Sequence, residues 1–305
     1  MFPIISGSTA QPAGNKEGLF AFGSVPGVGK VNTRNLVSNA GVIASDASGA
    51  GTARSSIGAT EYGGDKGIFY GGTPKVNTSN LVSNTGVVAG DTAGVGTGRY
   101  DPGGASYGGD KGIFYSGNWA GGTTYWNGSN KVSNLGVVAS DTGGVGTARY
   151  ASTGCEYGED KGIFGYGSSQ AATGGINVSN PVSNTGTISG DVSGVGTARC
   201  FLSACSYGAP PKDKGIFGFG YKGAPGLSDA CNLVANTGVV AADTSGVGTA
   251  RSSLSSTQYG GDKAMFGFGS SSNTINKISN MGVVAADTTA TAASAGGSRG
   301  ACSFN

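Results

Sequence analysis

SVPGVGKV, residues 24–31, carries the glycines and the lysine of a phosphate-binding loop, but a Walker A loop needs Gly at its first position and Ser or Thr at its last. Ser24 and Val31 stand there instead, and no helical pattern follows whose N-terminus could hold a phosphate. The chain has no histidine at all. That removes Ser-His-Asp and Cys-His machinery, imidazole-ligated copper or zinc, and the usual general base near neutral pH. Five cysteines, Cys155, Cys200, Cys205, Cys231 and Cys302, form an odd, sparse set without a CxxC, so neither a disulfide framework nor a zinc site is indicated. The expectation is no metal and no cofactor. Paired carboxylates could in principle cleave a glycoside. Outside the recurring acidic positions, however, only Glu17, Glu61, Glu156, Glu159, Asp101 and Asp229 remain, with no local pair beyond Glu156 and Glu159. The residue types predict a protein that is not an enzyme.

What organises the chain is repetition. YGGDKGIFYGG at residues 62–72 returns as YGGDKGIFYSG at 107–117. The lysine of that stretch recurs as Lys16, Lys66, Lys111, Lys161, Lys214 and Lys263, giving six units of about 45–50 residues. Three other positions keep the same beat: Asn39, Asn84, Asn134, Asn184, Asn236 and Asn280; Asp46, Asp91, Asp141, Asp191, Asp243 and Asp287; Arg54, Arg99, Arg149, Arg199, Arg251 and Arg299. Within each unit, short runs of Val, Ile, Phe and Tyr are cut by turn sequences such as N-T-G and Y-G-G-D, and no apolar stretch holds a 3.6-residue period. The pattern predicts four short strands per unit and essentially no helix. With 61 glycines in 305 residues, the composition suits a chain full of tight turns, where a positive φ costs glycine nothing.

A four-stranded repeat of this period is that of a β-propeller blade, so an all-β, six-bladed propeller is expected. TARSSIGATEYGGDKGIFYGG, residues 52–72, resembles the kelch pattern, in which an Arg-Ser opens the innermost strand and a second apolar strand runs into paired glycines. That resemblance implies an order of strands: one starting at each Arg, one after each Lys, then the VSN strand, then the GVVA strand. The chain then starts within the first blade and ends on residues 298–304, which read as an innermost strand with no partner after it. Closure of the first blade by this C-terminal strand is predicted, because a closed ring removes an exposed edge. Residues 15–305 are read as one propeller domain and residues 1–14 as an N-terminal extension and candidate anchor.

Charged residues are 12% of the chain, about half the usual share, and most occupy the recurring positions. A charge repeated around a ring is expected to hold blades together: the Arg by pairing with an Asp, and the Asp by an Asx-type bond that caps its own turn. No run of 18 apolar residues and no basic-then-apolar leader is present, so neither a membrane span nor a standard secretory signal is predicted. Net charge +2, spread evenly, gives no basic stripe for nucleic acid. Phe69, Phe114, Phe164, Phe217 and Phe266 are expected to pack blade against blade.

DKGIFG[FY]G followed by NLVSNTGVVAxDTxGVGTAR resembles repeats of virion structural proteins of tailed bacteriophages, including those of cyanobacteria. The resemblance implies a tail, fibre or decoration component, found in the virion after assembly in the host cytoplasm. Its implied partners are other virion proteins and a host-surface glycan or protein. The alternative is a cellular protein-interaction or glycan-binding propeller. Length varies most between the Phe of the second strand and the VSN-type Asn, and binding residues sit preferentially on such variable loops. NWAGGTTYWNG, residues 118–128, holds both tryptophans of the protein. Trp119, Tyr125 and Trp126 are therefore the candidate contact residues, for stacking on a sugar or anchoring a protein, with Tyr221 and Lys222 second.

Overall fold

The GIF-type run after each recurring lysine is too short for a helix, and its β-branched and aromatic residues suit the middle of a sheet. The computed structural model describes residues 16–120, 124–169, 174–208, 212–223, 226–291 and 293–304, and among these the regular structure is all β, without helix. The candidate anchor, residues 1–14, lies outside the described residues. The first repeat forms β1 (Glu17–Ala21), β2 (Ser24–Val25), β3 (Gly29–Lys30) and β4 (Arg34–Val37). The second forms β5 (Gly58–Tyr62), β6 (Lys66–Tyr70) and β7 (Ser79–Val82). The third forms β8 (Gly103–Tyr107), β9 (Lys111–Ala120) and β10 (Thr124–Val132). The fourth forms β11 (Thr153–Tyr157), β12 (Lys161–Gly165) and β13 (Ser179–Val182). The fifth forms β14 (Ser203–Tyr207), β15 (Lys214–Tyr221) and β16 (Leu227–Val234). The last forms β17 (Ser255–Tyr259), β18 (Lys263–Gly267), β19 (Thr274–Ile278) and β20 (Thr288–Thr289), and the chain ends on β21 (Gly300–Phe304).

These strands make seven small antiparallel sheets: six of three or four strands, plus the β2–β3 ribbon. The lysine-led strand lies in the middle of each, as in β5-β6-β7, where Ala59 faces Phe69 and Leu81 faces Ile68. The first sheet takes its inner edge strand from the far end of the chain, in the order β21-β1-β4. Glu17 pairs with Phe304, Leu19 with Cys302 and Ala21 with Gly300.

The six sheets touch in a cycle. β5 lies beside β8, β8 beside β11, β11 beside β14, β14 beside β17, β17 beside β21, and β21 beside β5. Just before each of these strands stands a non-glycine residue at a φ of 52–57°: Ser56, Asp101, Ala151, Phe201, Ser253 and Ser298. The left-handed conformation is strained for such residues and persists only where the surroundings impose it. Here it turns each N–H onto the preceding carbonyl of the set. Asp101 N donates to Ser56 O, Ala151 N to Asp101 O, Phe201 N to Ala151 O, Ser253 N to Phe201 O, Ser298 N to Ser253 O, and Ser56 N to Ser298 O, at 2.8–3.3 Å. This cycle of backbone bonds ends where it began.

Two expectations need correction. The innermost strand does not open at the Arg: β5 starts at Gly58, because Arg54 and Ser55 run beside the neighbouring loop and Ser56 makes the left-handed turn. Nor is the fourth strand regular. Except for the two residues of β20, it is reduced to isolated bridges such as Val82 with Val88 and Ser79 with Thr92. Between these two bridges two residues on one side face three on the other, so the ladder carries a one-residue bulge. The side chain of Asn80 fills the gap by donating to Ala89 O.

Between sheets the core is aromatic. Phe20 packs edge-on against Phe268, Phe69 against Phe22, and Phe266 against Phe219, while Phe114 stacks on Tyr70, Phe164 tilts against Tyr115, and Phe217 meets Tyr166 edge-on; all six centroid pairs lie within 4.9–5.4 Å. The mid-strand phenylalanines thus pack sheet against sheet. At the rim, Tyr62 lies beneath the turn of the next sheet at Gly136, whose φ is +78° and whose hypothetical Cβ would fall 2.9 Å from the ring. Phe304 closes on Gly86 in the same way.

Candidate binding face and axial cavity

A polar network built on the recurring Asp, Asn and Arg is repeated from sheet to sheet, with departures in the first and third. In the second, Asp91 accepts from the backbone N–H and hydroxyl of Thr52 and from Asn80, and it pairs with Arg54 at 3.3 Å. Arg54 also donates to Asn80 Oδ1, and its guanidinium lies 4.4 Å over the ring of Phe22 in the preceding sheet. Arg149 with Asp191, Arg199 with Asp243, and Arg251 with Asp287 repeat the pairing, at 3.7, 3.3 and 3.9 Å. The arginines are buried and the aspartates exposed. The bonds shown here reach Asp91 from Thr52, across the sheet, where an Asx cap of its own turn was expected. Sequence reasoning also missed the partner asparagines Asn35, Asn80, Asn130, Asn180, Asn232 and Asn276. Their constant position 11 residues before each Asp was the available signal.

The sixth arginine differs. Ser298 matches Ser56 in conformation, so Gly296 occupies the backbone place of Arg54, and Arg299 stands three residues later. Its guanidinium nevertheless reaches 4.2 Å over Phe268 and donates to Asn35 and to Ser294 O. Ser294 takes the role of Thr52 by donating to Asp46.

Of the candidate contact residues, Trp119 is 41% exposed and Lys222 is exposed, whereas Tyr125, Trp126 and Tyr221 are half-buried. Trp126 covers Arg99, with the guanidinium 4.4 Å from its ring centroid, and so works inside the third sheet. There Arg99 Nη2 and Asn130 Oδ1 are without a hydrogen-bond partner among the described residues, unlike their counterparts Arg54 and Asn80. Burial brings the Arg99 guanidinium down to about 10. Two long hairpins carry the candidates, β9–β10 and β15–β16. Residues 121–123 of the first lie outside the described residues. Tyr125 stacks on Tyr150 at 4.8 Å, Tyr150 meets Phe201 edge-on at 5.6 Å, and Cys200 bridges to Tyr221. An aromatic track thereby joins the two hairpins. Tyr150 and Phe201 were not singled out from sequence; their signal was an aromatic one or two residues after the repeat arginine, where Arg54 and Arg251 are each followed by two serines.

Phe201 also borders a cavity of about 110 Å³ lined by all six innermost strands or their lead-in residues. Deeper in, a second space of about 40 Å³ is lined by one polar layer from the same register position: Glu61, Ser106, Glu156, Ser206 and Gln258. Ser303 holds the sixth place and donates to Glu61, as does Ser106. Lys212, supplied by the longer turn between β14 and β15, reaches Glu61 at 3.4 Å. Burial raises the Glu61 carboxyl, but the Lys212 charge and the serine hydroxyls outweigh it and hold it below the usual range. Burial pushes Glu156 up to about 7 and does the same to Asp101 at the cavity mouth. For Asp243, burial is outweighed by Thr197, Asn232 and the Arg199 charge, which bring it down to about 2.

These opposed shifts set a pH profile. Between about pH 4 and pH 7 the unfolded Glu156 and Asp101 have lost their protons while the folded ones keep them, so stability falls as pH rises. The repeat aspartates, held low in the fold, contribute fully above about pH 4, and their contribution is lost as pH falls through the lowered folded values, about 2 for Asp243. The melting temperature should therefore peak near pH ~4–5, with the neutral-side decline flattened in Glu156→Gln. A wild-type melting temperature still climbing from pH 5 to pH 8 would contradict these assignments.

No protein-family model matches the chain, and no curated protein matches it significantly.

Proposed function

We infer that the chain is a six-bladed, kelch-like β-propeller closed by its C-terminal strand, and that it is a non-enzymatic structural protein of a tailed-bacteriophage virion. Its place is a tail, fibre or decoration component that serves assembly or host-surface attachment. One observation carries the reading: the cyclic repetition, in which each sheet is joined to the next by the same arginine-on-aromatic contact and the last contact returns to the first. A ring of this kind exposes no inner edge to other chains and resists opening outside a cell. The recurring charges are engaged in the sheets and their interfaces, where a reactive centre would gather them around one point. The DKGIFGFG repeat wording, similar to that of phage virion proteins, supplies the virion part of the reading. The long hairpins of the third and fifth sheets break the repetition, and there such a scaffold presents its contacts.

The aromatic track from Tyr125 through Tyr150 to Phe201, together with exposed Trp119 on the same hairpin as Tyr125, favours a glycan as the surface contacted. It equally supports the second reading, a cellular glycan-binding propeller. Peptide mass spectrometry of purified particles separates the two: many copies per virion are expected, and the absence of the chain from particles overturns the virion reading. Within particles, Trp119→Ala should lower adsorption to host cells severalfold while leaving incorporation and circular dichroism unchanged. Unaltered adsorption would remove Trp119 from the contact surface.

A further inference from the structure

The polar layer of the axial cavity contains one side chain left without a role by the fold and the binding face. Glu156 is 7% exposed and lines the cavity, and its carboxylate accepts no hydrogen bond among the described residues. Glu61, in the same layer, is by contrast fully engaged by Ser106, Ser303 and Lys212. A buried carboxylate without a partner is costly, and either a proton or a cation relieves it. We propose that the axial cavity binds one small monovalent cation, an alkali-metal ion or ammonium, at Glu156 with oxygen atoms of the same layer completing its shell.

Three features select this ligand class, independently of the virion reading. The layer offers oxygen donors from carboxylates, hydroxyls and the Gln258 amide, and no imidazole, so a hard cation fits and a soft one does not. The space, about 40 Å³, has room for a small ion together with a few waters. Charge selects the valence: Glu61 and Glu156 against Lys212 leave one negative charge, which one monovalent ion cancels. A divalent ion would leave an excess positive charge in a buried place and would want more carboxylate oxygens than the layer has. Lys212 is the internal competitor, since its ammonium draws on the same two acids.

The test is the melting temperature of the full chain at pH 8, in chloride salts of sodium, potassium, ammonium and choline at one ionic strength. At least one small cation should raise it by about 2–4 °C over choline, whose methylated nitrogen offers these oxygens no bare charge to ligate. The rise should vanish in Glu156→Gln and grow in Lys212→Met. Equal melting in all four salts overturns the proposal, as does an undiminished rise in Glu156→Gln. A response to calcium but to none of the monovalent ions overturns the assigned valence. Should Glu156→Gln fail to fold, thallous-ion NMR on the wild-type chain decides: a bound resonance displaced by potassium supports the site, and its absence at pH 8 refutes it.

Discussion

A chain lacking residues 297–305 should melt far below the full chain and aggregate on purification. The truncation removes β21, which supplies five register pairs to β1, and with it Cys302 and Phe304 of the buried core and Arg299 above Phe268. Each ladder bond contributes about 0.5–1.5 kcal/mol and each large buried apolar side chain about 1.5–3 kcal/mol. Together these exceed ~5 kcal/mol, comparable with the whole stability of many domains. The loss is also topological. β1 and β5 each lose a neighbour, and Ser56 and Ser253 lose their partner Ser298 in the cycle of backbone bonds. Thermal melting by circular dichroism and size-exclusion chromatography read the outcome. A truncated chain with the melting temperature of the full one would show that the terminal strand is dispensable.

The second large effect is expected at a repeat arginine. Arg149→Ala should cost ~3–5 kcal/mol, whereas Lys131→Ala should cost under ~0.5 kcal/mol. Arg149 is fully buried, lies 5.2 Å over the Tyr115 ring, donates to Asn180 and pairs with Asp191. Its removal leaves a cavity between two sheets and strips Asp191 and Asn180 of their cation. Lys131 is a surface side chain whose ammonium donates to one carbonyl, that of Thr185. Denaturant melts of both variants decide the matter, and equal midpoints would defeat the view that the arginines hold the sheets together.

How far the residues foretold these interactions differs from element to element. The lysine-led strand, the mid-strand phenylalanines and the pairing of the chain ends follow from repeated runs and turn residues, because local pattern fixes which face of a short strand is buried. The asparagine partners of the network kept an equally regular spacing, yet asparagine reads as turn chemistry, and its burial at 0% in Asn80 depends on a bulge that forms only when the sheet does. Arg299 was placed in the sixth slot by counting. The unequal interval, 12 residues after Asp287 where the others have eight, marked the shift, but whether a long side chain can make up three residues of backbone is a question of reach in space. Trp126 read as a surface residue because its loop is variable, and it packs on Arg99 because the segment forms strand β10, paired with β9 in the third sheet.

By itself, then, the sequence determined the all-β character, the six-unit repetition, the turn positions and the absence of imidazole chemistry, each a consequence of composition and short-range periodicity. Only the tertiary structure decided which copies meet. Residues one full repeat apart, such as Thr97 and Asp141, become hydrogen-bonded neighbours, and Lys212 finds Glu61 across 151 positions of chain. The physical reason is that identical repeats give each side chain several equivalent partners in sequence, and only the closing of the sheets upon one another selects among them.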